Sequence, residues 1–485
     1  MPSLGPGGPW IDFGIIALYL LAVTWFGARF RNRRGEGGLK EYFLASHAAP
    51  WWAISLSIVS AETSTLTIIG TPALSFGGNL AFLQVVFGYL IARILISILF
   101  LPAYFRGQLF TAYQLMQFRF GERVRKLTAI IFLFTRAMAE GVRVFAISIV
   151  ISIVLGTGQL VSIILIVALT LFYTFEGGMT AVIWTDVLQM AMYVSGALVS
   201  FFVIVHHIPG GWTHMIAAAG AQGKLQVLDF RGGFVLPYTF SAGVIGGCFL
   251  TFASHGTDQL IVQRLLSARS ETESRRALLA SWIVVFLLFT LFLFIGLALW
   301  VLYRDSGTQP PQPLDRIYPA FVWNALPTGV RGLIIAAILA AAMANLSAAL
   351  NSLASTTVID IFRPLTGIGN SMKLAHAATV FWAVVLVGIG FVAQQWGTVL
   401  QSGLSIASVT LGLLLGVFLL GVLTKSVRES GAIAGLLIGL TTILYIRFET
   451  RVAFTWWVLI CSSATFAGGA AASKMLQMFQ KKAHA

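Results

Sequence analysis

Residues 55–70 read Ser-Leu-Ser-Ile-Val-Ser-Ala-Glu-Thr-Ser-Thr-Leu-Thr-Ile-Ile-Gly, an apolar run with one carboxylate, Glu62, at its centre and hydroxyls at Thr63, Ser64 and Thr65 behind it. A charge inside a membrane helix is costly and persists where it faces a cavity, a partner or a substrate. Glu62 therefore marks a site within the bilayer, and the surrounding composition decides whether there is a bilayer to be within.

Of the 485 residues, 58% are hydrophobic and 10% charged, more apolar surface than a soluble chain of this length can bury. Cys248 and Cys461 fall in separate apolar runs and give neither a disulfide framework nor a metal-ligand spacing. The net charge of +14 is carried by bases that punctuate apolar runs and form no aromatic-interleaved stripe. That pattern argues for membrane topology and against nucleic acid. The chain has no P-loop, no GxGxxG in a strand–helix setting, no HxxxH and no GxSxG, so enzyme chemistry and organic cofactors have no support.

Hydropathy predicts thirteen spans, each near the roughly 20 residues that cross a hydrocarbon core: 10–29, 50–71, 79–105, 127–155, 160–177, 181–205, 237–262, 278–303, 330–361, 374–393, 398–423, 431–446 and 452–472. Bases crowd alternate loops: Arg29, Arg31, Arg33, Arg34 and Lys40; Arg106, Arg119, Arg123, Arg125 and Lys126; Arg264, Arg269, Arg275 and Arg276, with Arg363 and Lys373 further on. The positive-inside rule then predicts an outside N-terminus, a cytoplasmic C-terminus and a plasma-membrane location. The first run ends in bases without a cleavage signature and is expected to stay as a helix.

The second and seventh spans are the least lipid-like. Residues 60–75 are dense in hydroxyls, glycine and Pro72, and residues 239–258 read Thr-Phe-Ser-Ala-Gly-Val-Ile-Gly-Gly-Cys-Phe-Leu-Thr-Phe-Ala-Ser-His-Gly-Thr-Asp. Small residues also serve ordinary helix packing. Two such segments five spans apart, however, point to inverted repeats with a midplane site between broken helices.

Four further stretches carry a resemblance: Tyr-Thr-Phe-Glu-Gly-Gly-Met-Thr-Ala-Val-Ile-Trp-Thr-Asp-Val-Leu-Gln (173–189), Thr-Asp-Gln-Leu-Ile-Val-Gln-Arg-Leu-Leu-Ser-Ala (257–268), Asn-Ser-Leu-Ala-Ser-Thr-Thr-Val-Ile-Asp-Ile-Phe (351–362), and Gly-Val-Leu-Thr-Lys with Gly-Ala-Ile-Ala-Gly (421–435). In order and spread they resemble the sodium/solute symporters, which include carriers of sugars, proline, iodide, vitamins and sialic acid. The resemblance implies an all-α integral membrane protein of about 13 helices with LeuT-type inverted five-helix repeats. These fall on 50–205 and 237–423, with one helix before (10–29), two after (431–472) and a cytoplasmic tail at 474–485. It implies one transporter domain in the lipid bilayer, working as a monomer with a small organic solute and Na+ as coupling ion.

The family's sodium site uses carbonyls of the first broken core helix, here Ser60 and Thr63, and small and hydroxyl residues of the eighth, here within Ala341–Ala348. The usual hydroxyl pair falls on Ala344 and Asn345, which removes at least one hard oxygen ligand. Asn345 and Ser347 retain side-chain oxygens, and Glu62 lies between the two carbonyl positions. Glu62 thus completes an altered sodium site, carries a coupling proton or contacts solute, and the residues leave these three open. Asp186 matches the family's fifth-helix acid, which serves a second sodium site with Ser347 or, on a plainer reading, caps its helix or pairs with a nearby base.

For the solute, Thr67 and Glu62 face Thr251, Ser254 and His255 across the predicted cavity. The sugar carriers' stacking aromatic is replaced by Ser254, which weakens a sugar. Arg136, Glu140 and Arg143 share one helical face and can neutralise one another. If Arg143 faces the cavity it offers a carboxylate partner and favours an organic anion. The function expected is cation-coupled symport by alternating access. A proton-coupled symporter using Glu62 and a solute-sensing receptor with a separate signalling partner are the alternatives.

Overall fold

The structure, a computed structural model, describes residues 9–29, 49–106, 112–173, 179–362 and 372–483. Glu176, Arg31, Arg33, Arg34, Lys40 and Arg363 lie outside the described residues, as does the side chain of Ala344. The described chain is built of helices: α1 Trp10–Arg29, α2 Trp51–Glu62, α3 Thr65–Gly77, α4 Leu83–Leu99, α5 Leu101–Arg106, α6 Ala112–Phe120, α7 Glu122–Leu155, α8 Gln159–Tyr173, α9 Met179–His207, α10 Gly211–Ala221, α11 Phe240–Gly256, α12 Gln259–Leu266, α13 Glu271–Ser306, α14 Ile317–Ala325, α15 Val330–Thr356, α16 Met372–Ala393, α17 Val399–Leu423, α18 Glu429–Glu449 and α19 Trp457–Ala483.

Among the described residues nine helices are long and apolar enough to cross a membrane, and α2 with α3 make a tenth, bent by 62° at their junction. The other three predicted spans fall on α1 of 20 residues, on α8, described as far as Tyr173, and on the α11–α12 pair of 17 and 8 residues. Helices α7 and α13, at 34 and 36 residues, run well past the spans predicted at 127–155 and 278–303. Their first turns are polar, so hydropathy is blind to them, yet Ser270 caps α13 by accepting the Glu273 N–H at 3.2 Å. The stretch 474–485, expected as a tail, continues α19 as helix to Ala483.

Both breaks show in the backbone bonding, and the second also in a side-chain cap. At the first, the Thr63 N–H closes on Val59 O at 2.7 Å and the Ser64 N–H turns back to Glu62 O at 3.0 Å, while Ser64 is extended and starts α3. At the second, α11 ends at Gly256 and Asp258 caps α12 by accepting the Leu260 N–H at 2.9 Å.

Glycines bring the two halves together. Helices α4 and α11 pack backbone to backbone: a Cβ on Gly88 would sit 2.2 Å from Val244 O, and one on Gly247 would sit 2.2 Å from Val85 O. Gly243 and Gly247 form the small-xxx-small face that permits such approach. At the other side of the bundle Asp12 of α1 is fully buried and accepts the N–H groups of Gly329 and Gly332 at 2.8 and 3.2 Å, with Arg331 Nε at 2.6 Å. It thereby caps α15.

Gly88→Ala forces α4 and α11 apart and should cost about 3 kcal/mol or more of stability. Gly14→Ala, where an added Cβ meets nothing within 4 Å, should be neutral. Thermal melts of the purified protein check the pair, and equal melting temperatures would refute the packing argument.

Candidate transport site

Glu62 ends α2 at the first break, with its side chain 11% exposed. Its carboxylate takes a hydrogen bond from Arg93 Nη2 at 2.5 Å and lies 3.2 Å from His255 Nε2. Arg93 is fully buried and reaches Ser281 Oγ with Nε at 3.1 Å and Tyr89 O with Nη1 at 3.3 Å. The Nδ1 of His255 is 2.9 Å from Ser254 Oγ. A guanidinium cannot be stripped of water without a partner, so Glu62 is the counter-ion of Arg93 and ties the broken helix to α4 and α11. This role is absent from the three that the sequence leaves open.

The residues expected to hold the cation divide. The carbonyls of Ser60 and Thr63 are free of their usual helical partners, because the Ser64 N–H bonds Glu62 O and the Thr67 N–H bonds Ser64 O at 2.9 Å. On α15, Asn345 reaches a small recess beside Ser64, Thr65 and Ala342. Ala341 and Ser347 are buried elsewhere on that helix and do not line the cavity. Asp186 accepts hydrogen bonds from Ser57 Oγ at 2.5 Å and Arg264 Nη2 at 2.9 Å, and Arg264 Nε also bonds Ser57 Oγ at 2.8 Å. Asp186 thus sits in a buried triad of α9, α12 and α2, and Arg264, expected in an inward loop, is inside the bundle.

The residues expected to meet the solute do come together. Glu62, Thr67, Arg143, Thr251, Ser254, His255 and Asn345 line one cavity of about 180 Å³, closed by apolar side chains that include Leu66, Phe82, Phe289 and Leu400. An apolar pocket with a few convergent polar groups is the ordinary form of a small-molecule site. Its charged lining combines Glu62, Asp258 and Arg264 with Arg136 and Arg143 of α7. Glu140, fully buried, takes Arg136 Nη2 at 2.9 Å and also pairs with Arg143 through the same oxygen. Arg136 lies 4.0 Å from Asp258, whereas Arg143, with a side chain 26% exposed, has only its share of Glu140. The Nε of Arg143 and the second oxygen of Glu140 have no hydrogen-bond partner.

Sequence analysis assigns no role to Arg93, although a signal was present: an isolated base in the run 83–99 needs an acid, and few acids lie within the predicted spans.

Residues 42–439 match the sodium:solute symporter family. The chain is 26% identical over 450 residues to the sodium-coupled monocarboxylate transporter 2 of Mus musculus, covering 91% of this chain and 72% of that protein. It is 26% identical over 461 residues to the sodium/iodide cotransporter of Homo sapiens, covering 90% and 70%. The structure is similar to a Na+-coupled sialic acid symporter solved in a substrate-bound outward-open state, with a TM-score of 0.83, 25% identity, and coverage of 96% of this chain and 98% of that one. A nucleobase-cation symporter, Mhp1, shares the fold at a TM-score of 0.54 and 13% identity. The all-helical bundle with its two broken helices is the LeuT-type fold, in a multi-pass membrane protein. The chain belongs to the sodium:solute symporter family and is a transporter that carries a small solute together with Na+.

Proposed function

We propose that the solute is a small organic anion of the monocarboxylate kind, held by its carboxylate at Arg143. The observation that carries this is the arrangement on α7, where two guanidiniums share one oxygen of Glu140 and Arg143, its side chain 26% exposed, lines the cavity with Glu140 as its one ion-pair partner among the described residues. A carboxylate accepts bonds from a guanidinium with geometric specificity, and one arriving at Arg143 would add to the oxygen of Glu140 that Arg143 shares, Arg136 having Asp258 at 4.0 Å besides. Size supports the same reading. A cavity of about 180 Å³ is near the roughly 150 Å³ that accommodates benzene, so it suits an acid with a short hydrocarbon or aromatic tail against Leu66, Phe82 and Phe289. The relatives named for monocarboxylates, iodide and sialic acid all carry anions.

In this reading the ten-helix core comprises the repeats 50–205 and 237–423, and one repeat rocks against the other around the site as a monomer. The N-terminus is outside the plasma membrane and the C-terminus inside. Sodium uses the carbonyls of Ser60 and Thr63, and coupling requires that ion and solute each prefer the same conformation. Glu62 acts as a positioning residue: through Arg93 and His255 it holds the break against α4 and α11.

In proteoliposomes with an inward Na+ gradient, Arg143→Gln should raise the KM for a carboxylate solute by about 10- to 100-fold, the worth of a charge-assisted bond. The uncharged amide of the same acid should not be taken up. Equal uptake of acid and amide would remove the anion assignment. For the buried pair, Glu62→Gln should cost about 3 kcal/mol because it strands Arg93, and Glu62→Gln with Arg93→Met should recover part of that loss. Strictly additive losses in a double-mutant cycle on melting would mean that the two side chains do not act as a pair.

A further inference from the structure

The turn Leu314–Arg316 lies between α13 and α14, outside the membrane spans, and rests on α3 and α7 while its acid reaches the start of α17. Leu314 sits against Gly77 of α3, where an added Cβ would come within 3.3 Å of its side chain. The first turn of α17 sits on the same helix: a Cβ on Gly70 would lie 2.6 Å from that of Leu400. Helices α3 and α7 fall in the first repeat and α17 in the second, so this turn bridges the two bodies that alternating access moves.

The bridge is a carboxyl group with one of its bonds missing. Asp315 is 1% exposed. Its Oδ2 accepts the Val399 N–H at 3.1 Å, while its Oδ1 has no hydrogen-bond partner. One residue before Val399, the buried Thr398 hydroxyl has no partner either, and Thr398 makes no side-chain cap on α17. The neighbouring elements bring no counter-ion. Helices α3 and α17 carry no charged residue, those of α7 end at Arg143, and the titratable group of α14 is Tyr318, whose hydroxyl goes to Ser200 at 3.1 Å. Lys224, at the end of α3, spends its ammonium on Phe76 O and Gly78 O at 2.8 Å each, and no charged side chain, Arg316 included, acts on Asp315. A buried carboxylate with one hydrogen bond for two oxygens is poorly stabilised as an anion, and burial pushes this carboxyl up to about 6. The neutral acid has what the site lacks, since it keeps the Val399 bond and supplies an O–H for the Thr398 oxygen.

We infer that Asp315 is a proton-responsive positioning residue: with a proton it seats the segment 314–325 on α3 and the start of α17, holding the two repeats together on this side, and without it that seat loosens. The carboxyl is raised above its ordinary value, so the stabilisation is present at low pH and is lost as pH rises through about 6. The inference rests on the rocking of the repeats proposed above; which solute is carried does not enter.

Hydrogen exchange of the purified, solute-free protein tests it, with rates corrected for the intrinsic pH dependence of exchange. Between about pH 5 and about pH 7.5, protection of 314–325 and 399–403 should fall about tenfold, the linkage expected of one such group. Asp315→Asn, whose amide keeps the acceptor and supplies a donor for Thr398, should hold the low-pH protection throughout and lose the slope. His214→Gln, which removes the pair with Asp305, should leave the slope in place. Wild-type protection that does not change with pH, or a slope that survives in Asp315→Asn, overturns the inference. Exchange over 65–77 of α3 reads the rocking separately: a slope confined to 314–325 and 399–403 keeps the seat at Asp315 and overturns its link to the repeats. Should Asp315→Asn not fold, Thr398→Val decides, because it removes the oxygen that receives the proton; a flattened profile supports the role and a wild-type slope refutes it.

Discussion

Charge inside a low-dielectric bundle has to be neutralised where it stands, and four carboxylates do this while also setting how the helices lie. Glu62 joins α2 to Arg93 on α4 and His255 on α11. Asp186 joins α9 to Arg264 on α12 and to Ser57 on α2. Asp12 joins α1 to Arg331 and the start of α15, and Glu140 gathers Arg136 and Arg143 on one face of α7. Breaking any of these leaves an unpaired buried charge, which costs far more than the intact pair contributes. They therefore fix register: the helix break at Glu62 has one position relative to α4 and α11, and α2 has one alignment against α9.

Packing then reinforces what charge has aligned. The Gly88, Gly243 and Gly247 contacts let α4 and α11 approach until backbone touches backbone, and that closeness carries Arg93 and His255 to the same carboxylate. The two breaks end up beside each other with free carbonyls and hydroxyls between them. Unsatisfied backbone at membrane depth is tolerated only around a cavity, and the cavity beside the break holds Thr67, Arg143, Thr251, Ser254, His255 and Asn345, from four helices, together with Glu62.

How far this was readable in the sequence follows from the range of each interaction. Hydropathy is local, so the spans and their order were legible; the polar first turns of α7 and α13 and the helical end of α19 were not, because a window of apolar residues does not register them. The hydroxyl run after Glu62 announced where the first break lies, although among the described residues the Thr63 hydroxyl has no hydrogen bond and Ser64 makes no side-chain cap. The ion pairs were opaque. Glu62 and Arg93 are 31 residues apart and Asp186 and Arg264 are 78 apart, and nothing local says which base meets which acid. Neutrality does narrow the choice, because few acids lie within spans.

If the solute is the anion proposed above, Na+ and the basic face of α7 together account for the coupling of two cargoes of opposite sign without a titrating group. Ser64 and Thr65, next to Thr63, reach the recess that Arg143 and Glu140 line, so a solute carboxylate at Arg143, as proposed, would lie beside the break. In a medium where charges are poorly screened, ion and solute each lower the cost of desolvating the other. For an anionic solute, a free carboxylate at Glu62 would cancel the attraction of the sodium charge. Pairing Glu62 with Arg93 therefore does more than satisfy a buried base: it withdraws the one acid at the break from competition with the solute and leaves the ion-solute attraction to favour their joint binding.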